Sequence, residues 1–280
     1  MFRERVELKT PAQIEIMRQA GLVVAETLQA VKSQAGAGMT TGDLDRIARE
    51  SIAAHGATSN FWNYGADDEG HGGFPGVICT SVNDEIVHGI PGPRVLRDGD
   101  LVSVDCGAII DGWHGDAAVS FTIGEPRAID VELIRVTEAA LWAGIGAARI
   151  GGKVGDISAA IEASIVAAGA SYGIAEGLTG HGIGTTMHQP PWIPNVASRG
   201  RTTRLVPGLV LAVEPMVSIG TSRNRTLDDG WTIVTLDGSR AAHAEHTFTL
   251  TERGAWVLTA ADGGREQLGS MGLPCGAPAT

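Results

Sequence analysis

The chain has 280 residues, 43% of them hydrophobic and 19% charged, with a formal net charge of -11 at pH 7. That length buries a large core, as one large domain or two small ones, in the composition of an ordinary globular protein. The acidic balance argues against a nucleic-acid polyanion or an anionic membrane as the main partner, and three cysteines without a C-x-x-C pair exclude a disulfide framework and a structural zinc knot. The charged start, Met1 to Arg5, lacks the apolar core of a signal peptide, and no run is long enough to span a bilayer. With so few cysteines, the expected compartment is a reducing cytoplasm.

Thr10-Pro11 is an N-cap with proline at the first helical position, and Ile14, Met17, Ala20, Gly21, Val24 and Leu28 recur at helical spacing, so a helix is expected over about 11–35. Thr41 and Asp43 are expected to cap a second helix reaching about residue 55. Residues 59–75 are rich in Gly, Asn and Asp and read as a loop. Runs 76–87 and 100–122 read as strands, the second folded back on itself at Asp111-Gly112, a strong hairpin signal. Helical patterning returns at 127–149 and 154–169. Gly180 to Gly184 reads as a glycine-rich turn and 191–206 as a long loop. Strands are expected at 209–219, 231–236 and 244–251. Helices followed by strands, twice over, imply two similar halves (about 1–124 and 125–262) sharing one sheet. The Gly/Pro-rich tail 263–280 reads as disordered.

Within these strand patterns four carboxylates stand out. Asp105 interrupts Leu101-Val102-Ser103-Val104, Asp116 precedes Ala117-Ala118-Val119, Glu214 closes Leu209-Val210-Leu211-Ala212-Val213, and Glu245 opens a run ending in Phe248-Thr249-Leu250. Taken singly, each has a plain reading as a turn cap or a solvent-facing strand residue. Buried together, they need compensation, because an ionised carboxylate in an apolar interior is very costly without a cation or a donor. With a two-residue turn at Asp111-Gly112, Asp105 opposes Ala118 and Asp116 lies on the same face. The two are then diagonal neighbours about 7–8 Å apart, a span that suits carboxylates converging on two ions about 3.5–4 Å apart. His181, between two glycines, completes an oxygen-rich set for hard or borderline divalent ions. Such a pair with open positions favours hydrolysis by a hydroxide held between the ions. His88 in Val87-His88-Gly89 and His188, seven residues beyond His181, are candidates to donate to a carbonyl oxygen or a leaving nitrogen. Gly144-Ile145-Gly146 lacks the third glycine of a dinucleotide fingerprint, and His243-Ala244-Glu245-His246 is not a zincin motif.

At these residues the chain resembles the type I methionine aminopeptidases. The likeness rests on Cys79-Thr80-Ser81-Val82-Asn83 with His88-Gly89-Ile90-Pro91, Asp105 through Asp116, Gly180-His181-Gly182-Ile183-Gly184 with His188, Val213-Glu214-Pro215-Met216, Asp229-Gly230-Trp231-Thr232 and Glu245-His246-Thr247, and it covers about residues 8–260. It implies an α+β "pita-bread" fold, a curved and mostly antiparallel sheet with helices outside, forming one catalytic domain over 1–262. It implies removal of the initiator methionine from new polypeptides when the next residue is small. By the family pattern Asp105, Asp116, His181, Glu214 and Glu245 are the metal ligands, with Asp116 and Glu245 bridging two divalent ions (cobalt, manganese, iron or zinc). Glu214 also helps deprotonate water, His188 binds the substrate carbonyl, and His88 lies near the scissile amide. Tyr64, Phe74, Cys79, Met187 and Trp231 are implied to line the methionine pocket. A monomer is implied, and the acidity allows at most a weak contact with the ribosome. The departure from the family is the acidic, glycine-rich insertion 65–73, which includes His71 and is expected to be a mobile loop at the cleft mouth. The nearest rival is another exopeptidase of this fold acting at X-Pro bonds; a non-catalytic binding protein on the fold would have lost ligands that are all present here.

Overall fold

The computed structural model describes residues 6–169, 171–198 and 200–279. The chain opens with helices α1 (Pro11–Gln34) and α2 (Thr41–Ala54). In α1 the Thr10 side chain accepts from the Gln13 amide while the Gln13 side chain accepts from the Thr10 amide, a reciprocal cap worth about 0.5–2 kcal/mol. The cap of α2 lies one residue earlier than its sequence implies: Thr40 is the N-cap, Asp43 closes the box, and Thr41 is buried in the first turn, bonded to the Gly92 carbonyl.

Strands β1 (Thr58–Ser59), β2 (Ile78–Val82), β3 (Glu85–Val87), β4 (Leu101–Ile110) and β5 (Trp113–Thr122) complete the first half. The second half repeats the plan with α3 (Ala128–Ala147) and α4 (Val154–Ala168). These are followed by β6 (Gly173–Ile174), β7 (Thr179–Gly182), β8 (Gln189–Pro194), β9 (Val210–Val213), β10 (Met216–Ser218), β11 (Asn224–Thr226), β12 (Ile233–Thr235), β13 (Ala241–His243), β14 (Glu245–Thr251) and β15 (Gly254–Val257). The main sheet has nine strands in the order β1-β4-β5-β14-β9-β7-β8, with β2 also on β4 and β15 also on β14. Its pairings are antiparallel, and the β5–β14 ladder is where the halves join. Helices pack on one face of it: α1 lies on β4 and β5, and α3 packs on α4 and against β5, β9 and β14. Alternation along β4 sends Val102, Val104 and Cys106 into the core cluster with Val24, Leu28 and Leu44, which leaves Asp105 on the other face.

Three expectations are corrected. The segment Gly180 to Gly184 is not a turn: residues 179–182 form β7. The glycines there admit close backbones, since a Cβ on Gly180 would sit 2.5 Å from the Ala212 carbonyl oxygen and one on Gly182 2.4 Å from that of Pro190. Residues 191–206 are not wholly loop, because β8 runs through Pro190-Pro191 at the edge of the sheet, where a missing N–H costs no ladder bond. The tail is ordered over its described residues. It carries helix α5 (Arg265–Ser270), Leu268 is buried, and Cys275 bridges Ala255.

One close helix–sheet contact is glycine on glycine. A Cβ on Gly115 of β5 would sit 2.8 Å from the Gly21 amide of α1, and one on Gly21 would sit 2.4 Å from the Leu258 carbonyl oxygen. Gly21→Ala is therefore expected to destabilise the protein by about 1–3 kcal/mol through overpacking. Denaturant unfolding at fixed metal concentration checks this; an unchanged midpoint would mean that α1 is free to shift outward.

Candidate metal centre

Sheet register alone brings the acidic groups together. Asp111 and Gly112 both have positive φ (48° and 77°), as a type I′ turn requires, and the hairpin pairs Ile110 with Trp113, Asp105 with Ala118 and Gly107 with Asp116. Across the seam, Ala118 pairs with Glu245, and on the other side Asp105 pairs with Cys79. Cys79, Asp105, Ala118 and Glu245 thus form one row across four strands. Two residues along β14, Thr247 faces Ala212 of β9, which in turn faces His181 of β7. Glu214 lies two residues beyond Ala212, just past the end of β9. Partners directly opposite share a face, and so do residues i and i+2. All five side chains therefore project from one face of the sheet, away from the helices.

The backbone under them is tied down. Thr247 Oγ1 accepts from the Asp116 amide (3.1 Å) and donates to the Asp116 carbonyl (2.7 Å), which locks β5 to β14. Asn195 Nδ2 donates to the Glu214 carbonyl at 3.0 Å. The ring of His181 has Nδ1 3.0 Å from the Gly182 carbonyl oxygen. A carbonyl only accepts, so Nδ1 carries the proton and Nε2, 3.3 Å from Glu214 Oε1, presents a lone pair.

The electrostatics are adverse without a counter-charge. Asp105 Oδ1, Asp116 Oδ1 and Glu245 Oε1 are buried and have no hydrogen-bond partner. Burial raises the Asp105 carboxyl to about 7. Burial, and then the charges of Glu245 and Asp105, hold Asp116 well above the usual carboxylate range. Glu214 and Glu245 are raised in the same way, first by burial and then by their acidic neighbours. Burial lowers His181 to about 3, which keeps it neutral. The unpartnered carboxylate oxygens of Asp116 and Glu245, close to the neutral His181 imidazole, are donors of the kind a divalent cation takes. Two groups have ligand atoms within 4.8 Å of one another: Asp116, His181 and Glu245, and Glu214, His243 and Glu245.

The five side chains open into a cavity that Tyr64, Phe74, Cys79, His88, Met187, His188 and Trp231 also line, so every site residue expected from sequence lies around it. His88 adopts φ 60°, a left-handed conformation rare for residues other than glycine, as the chain leaves β3. His188 stacks edge-on against His181, with ring centroids 4.4 Å apart, and its Nδ1 lies 2.6 Å from the Tyr64 hydroxyl. The apolar wall is a run of edge-to-face aromatics, Phe61 on Phe74 and Phe74 on Trp231, joined by buried Cys79 and Met187. Phe61 and His243 escaped the sequence reading. Phe61 opens a polar, loop-like stretch, and His243 sits in a segment dismissed as a failed zincin motif. The insertion 65–73 sprouts from this wall with its base closed: the Asn63 amide donates to the Phe74 carbonyl and the Phe74 amide to that of Tyr64. At its tip Asp67 Oδ1 accepts from the amides of Glu69 and His71, and the His71 ring lies 3.6 Å from Asp67 and from Glu69.

A larger hollow of about 410 Å³ lies between the end of α3 and the β14–β15 hairpin, but its charged lining is only Arg149, Glu252 and Arg253. It holds no converging carboxylates and no histidine, so its volume has no comparable chemistry.

The model of metallopeptidase family M24 matches residues 15–252. A methionine aminopeptidase of Clostridium acetobutylicum is 46% identical over 253 residues, covering 90% of this chain and 98% of that protein. Methionine aminopeptidase 1 of Mycobacterium tuberculosis is 45% identical, covering 92% and 96%. The crystal structure of a methionine aminopeptidase from Thermotoga maritima superposes with a TM-score of 0.85 at 39% identity, covering 91% of this chain and 99% of that one. That likeness makes the curled antiparallel sheet with outer helices the pita-bread fold of α+β class. Matched over nearly its whole length in sequence and in fold, the chain belongs to metallopeptidase family M24, among its methionine aminopeptidases.

Proposed function

We propose that this chain hydrolyses the first peptide bond of polypeptides that begin with methionine, using two divalent ions held by Asp105, Asp116, His181, Glu214 and Glu245. The observation that carries the reading is the cavity in which two buried carboxylates (Asp116 and Glu245), two half-buried ones (Asp105 and Glu214), one lone-pair imidazole and an aromatic, sulfur-containing wall converge. Charge balance supports two ions over one, since four carboxylates are neutralised by two divalent cations, whereas one would leave two negative charges buried. When bound, such ions supply Lewis acidity and bring the acidity of water near neutral pH. Cobalt, manganese, iron and zinc all suit this donor set.

The chain's own groups divide the remaining work. Glu214, at the strand end, accepts the proton of the attacking water. His188 donates from Nε2 to the scissile carbonyl oxygen, and the Tyr64 hydroxyl at Nδ1 fixes the ring's orientation. His88, which lines the cavity and is kept neutral by burial, lies in this reading beside the scissile amide. Phe61, Phe74, Cys79, Met187 and Trp231 take the methionine side chain, whose thioether gains from area burial and from sulfur–aromatic contact. In this reading the carboxylates of Asp67, Asp68 and Glu69, carried on the segment between the cavity-lining Tyr64 and Phe74, attract a cationic N-terminal amine. This reading places the protein in the cytoplasm, acting as a monomer on nascent chains.

Comparing hydrolysis of Met-Ala-Ser with that of Ala-Pro-Ala in the metal-loaded protein tests the reading. Cleavage of the first with little or none of the second is expected, and preference for the X-Pro bond would assign the chain to the rival exopeptidases. His188→Ala is expected to lower kcat by about 10²–10³-fold with little change in KM, because the lost donor acts on charge that develops in the transition state. Tyr64→Phe should show a smaller loss in the same parameter. A pure KM effect in both would make them binding residues only.

Metal removal has a pH signature. In the metal-free fold Asp105 titrates at about 7, above its unfolded value, and the other three carboxyls are raised as well. Such groups contribute stability that is complete below their unfolded pKa and is lost as pH rises through the folded one. His181, lowered to about 3, and the other histidines lowered by burial (His88, His114, His188, His243 and His246) act in the opposite sense, but unfolded histidines are mostly neutral above about pH 7. Between about pH 7 and 8.5 the Tm of the chelated protein is therefore expected to fall, and saturating Co²⁺ or Mn²⁺ should remove that slope. A Tm that ignores both pH and metal across this window would contradict the assignment.

A further inference from the structure

His243 ends β13 two residues before Glu245. Its backbone is held firmly: Ser120 Oγ donates to the His243 carbonyl (2.7 Å), accepts from the His243 amide (2.9 Å), and lies 2.8 Å from Ser103 Oγ. Among the described residues its ring makes no hydrogen bond. The residue is 1% exposed, yet neither Nδ1 nor Nε2 has a hydrogen-bond partner. A buried polar group left unpaired costs about 1–3 kcal/mol, so an imidazole unsatisfied at both nitrogens asks for an explanation.

The surroundings of Nε2 supply one. It lies 3.9 Å from Glu214 Oε2 and 3.8 Å from Glu245 Oε2. Both separations are too long for hydrogen bonds, which close at about 2.7–3.2 Å. They match two donors on one cation, because metal–nitrogen and metal–oxygen distances of about 2.0–2.2 Å leave neighbouring ligand atoms about 3–4 Å apart. The three ligand atoms also lie within 4.8 Å of one another. We propose that His243 is a further metal ligand, binding through Nε2 beside Glu214 and Glu245, so that the centre holds two imidazoles instead of one. Asp116–His181–Glu245 and Glu214–His243–Glu245 are then two triads, each of two carboxylates and one imidazole, that share Glu245. This assignment rests on the metal-centre reading above.

The added imidazole brings no charge to a site that four carboxylates already balance. It changes the donor set from one nitrogen to two, and nitrogen favours cobalt, zinc and iron over manganese and magnesium. The expected consequence is a protein that holds Co²⁺ well in preference to Mn²⁺, with that preference residing in His243.

Metal-stripped protein titrated with Co²⁺ and with Mn²⁺, by calorimetry and by visible absorption of the Co²⁺ form, tests this. His243→Ala and His243→Gln should each weaken Co²⁺ binding at least tenfold at one position, shift the Co²⁺ absorption band, and weaken Mn²⁺ much less. Their metal-free circular dichroism should match the parent. Parent-like Co²⁺ affinity and spectrum in both folded variants would overturn the proposal. Asp116→Ala run in parallel separates the two levels: Co²⁺ binding that also survives this change would sink the metal centre itself, not only its sixth ligand. Should the His243 variants fail to fold, the parent protein still decides. Its Co²⁺ form should show two strongly shifted exchangeable imidazole N–H proton resonances, one from His181 and one from His243, and a single such resonance would refute the assignment.

Discussion

Four like charges, two buried and two half-buried, within reach of one another are the constraint on which this structure turns. Their mutual repulsion and their desolvation act in the same direction, and within the protein they are relieved only by holding protons. A fold that keeps them apart would be more stable without metal. This one gathers them through β-ladder register, the least adjustable element available, because a slip of one residue would turn every side chain to the opposite face. The cost is therefore built into the sheet and offset only when cations arrive, which links metal binding to stability through the same residues that link it to catalysis.

The position of the centre follows from how the halves meet. Asp105 and Asp116 come from the first half, and His181, Glu214 and Glu245 from the second, and the β5–β14 ladder joins them. Neither half holds the complete set of proposed ligands. Thr247, bonded to both the amide and the carbonyl of Asp116, fastens the seam at the point where a shift would open the site. The hydroxyl chain Ser103–Ser120–His243 does the same one layer away, from β4 through β5 to β13. Polar side chains inside an otherwise apolar sheet here fix backbone positions, and that accounts for their burial.

Much of this was legible in the residues because the relevant signals are local. Asp111-Gly112 sets the hairpin, the hairpin sets the parity of Asp105 and Asp116, and the four helices announce themselves by period and caps. What was not legible depends on long-range contact. Gly180 and Gly182 look like turn residues, yet they are glycine because Ala212 and Pro190 press on them, and neither neighbour is visible from the local pattern. Pro190 and Pro191 argue against a strand until the strand is known to lie at the sheet's edge. The tail has the composition of a solvated segment, but Leu268 is buried, Leu273 and Cys275 pack against the second-half core, and Arg253 donates to the Ala277 carbonyl. His243 went unnoticed for a related reason: its motif is broken as a linear signature, and its significance appears only when Glu214 and Glu245 stand beside it.

The chemistry and the selectivity of the site rest on different parts of the chain. Three of the five proposed ligands sit within long ladders (β4, β5 and β14), whereas the pocket wall is drawn mainly from connections: Phe61, Tyr64 and Phe74 between β1 and β2, Met187 between β7 and β8, and Trp231 between β11 and β12. The insertion 65–73 emerges between Tyr64 and Phe74, and the hydrogen bonds at its base hold those two residues in place across it. Extra chain can therefore be accommodated at the mouth without disturbing either aromatic, and neither residue belongs to a ladder that sets the metal spacing. Changes of loop length on this scaffold act on what enters the cavity and leave the charge geometry within it untouched. That separation explains how a chain with an acidic, glycine-rich insertion at its entrance retains all five proposed ligands in register.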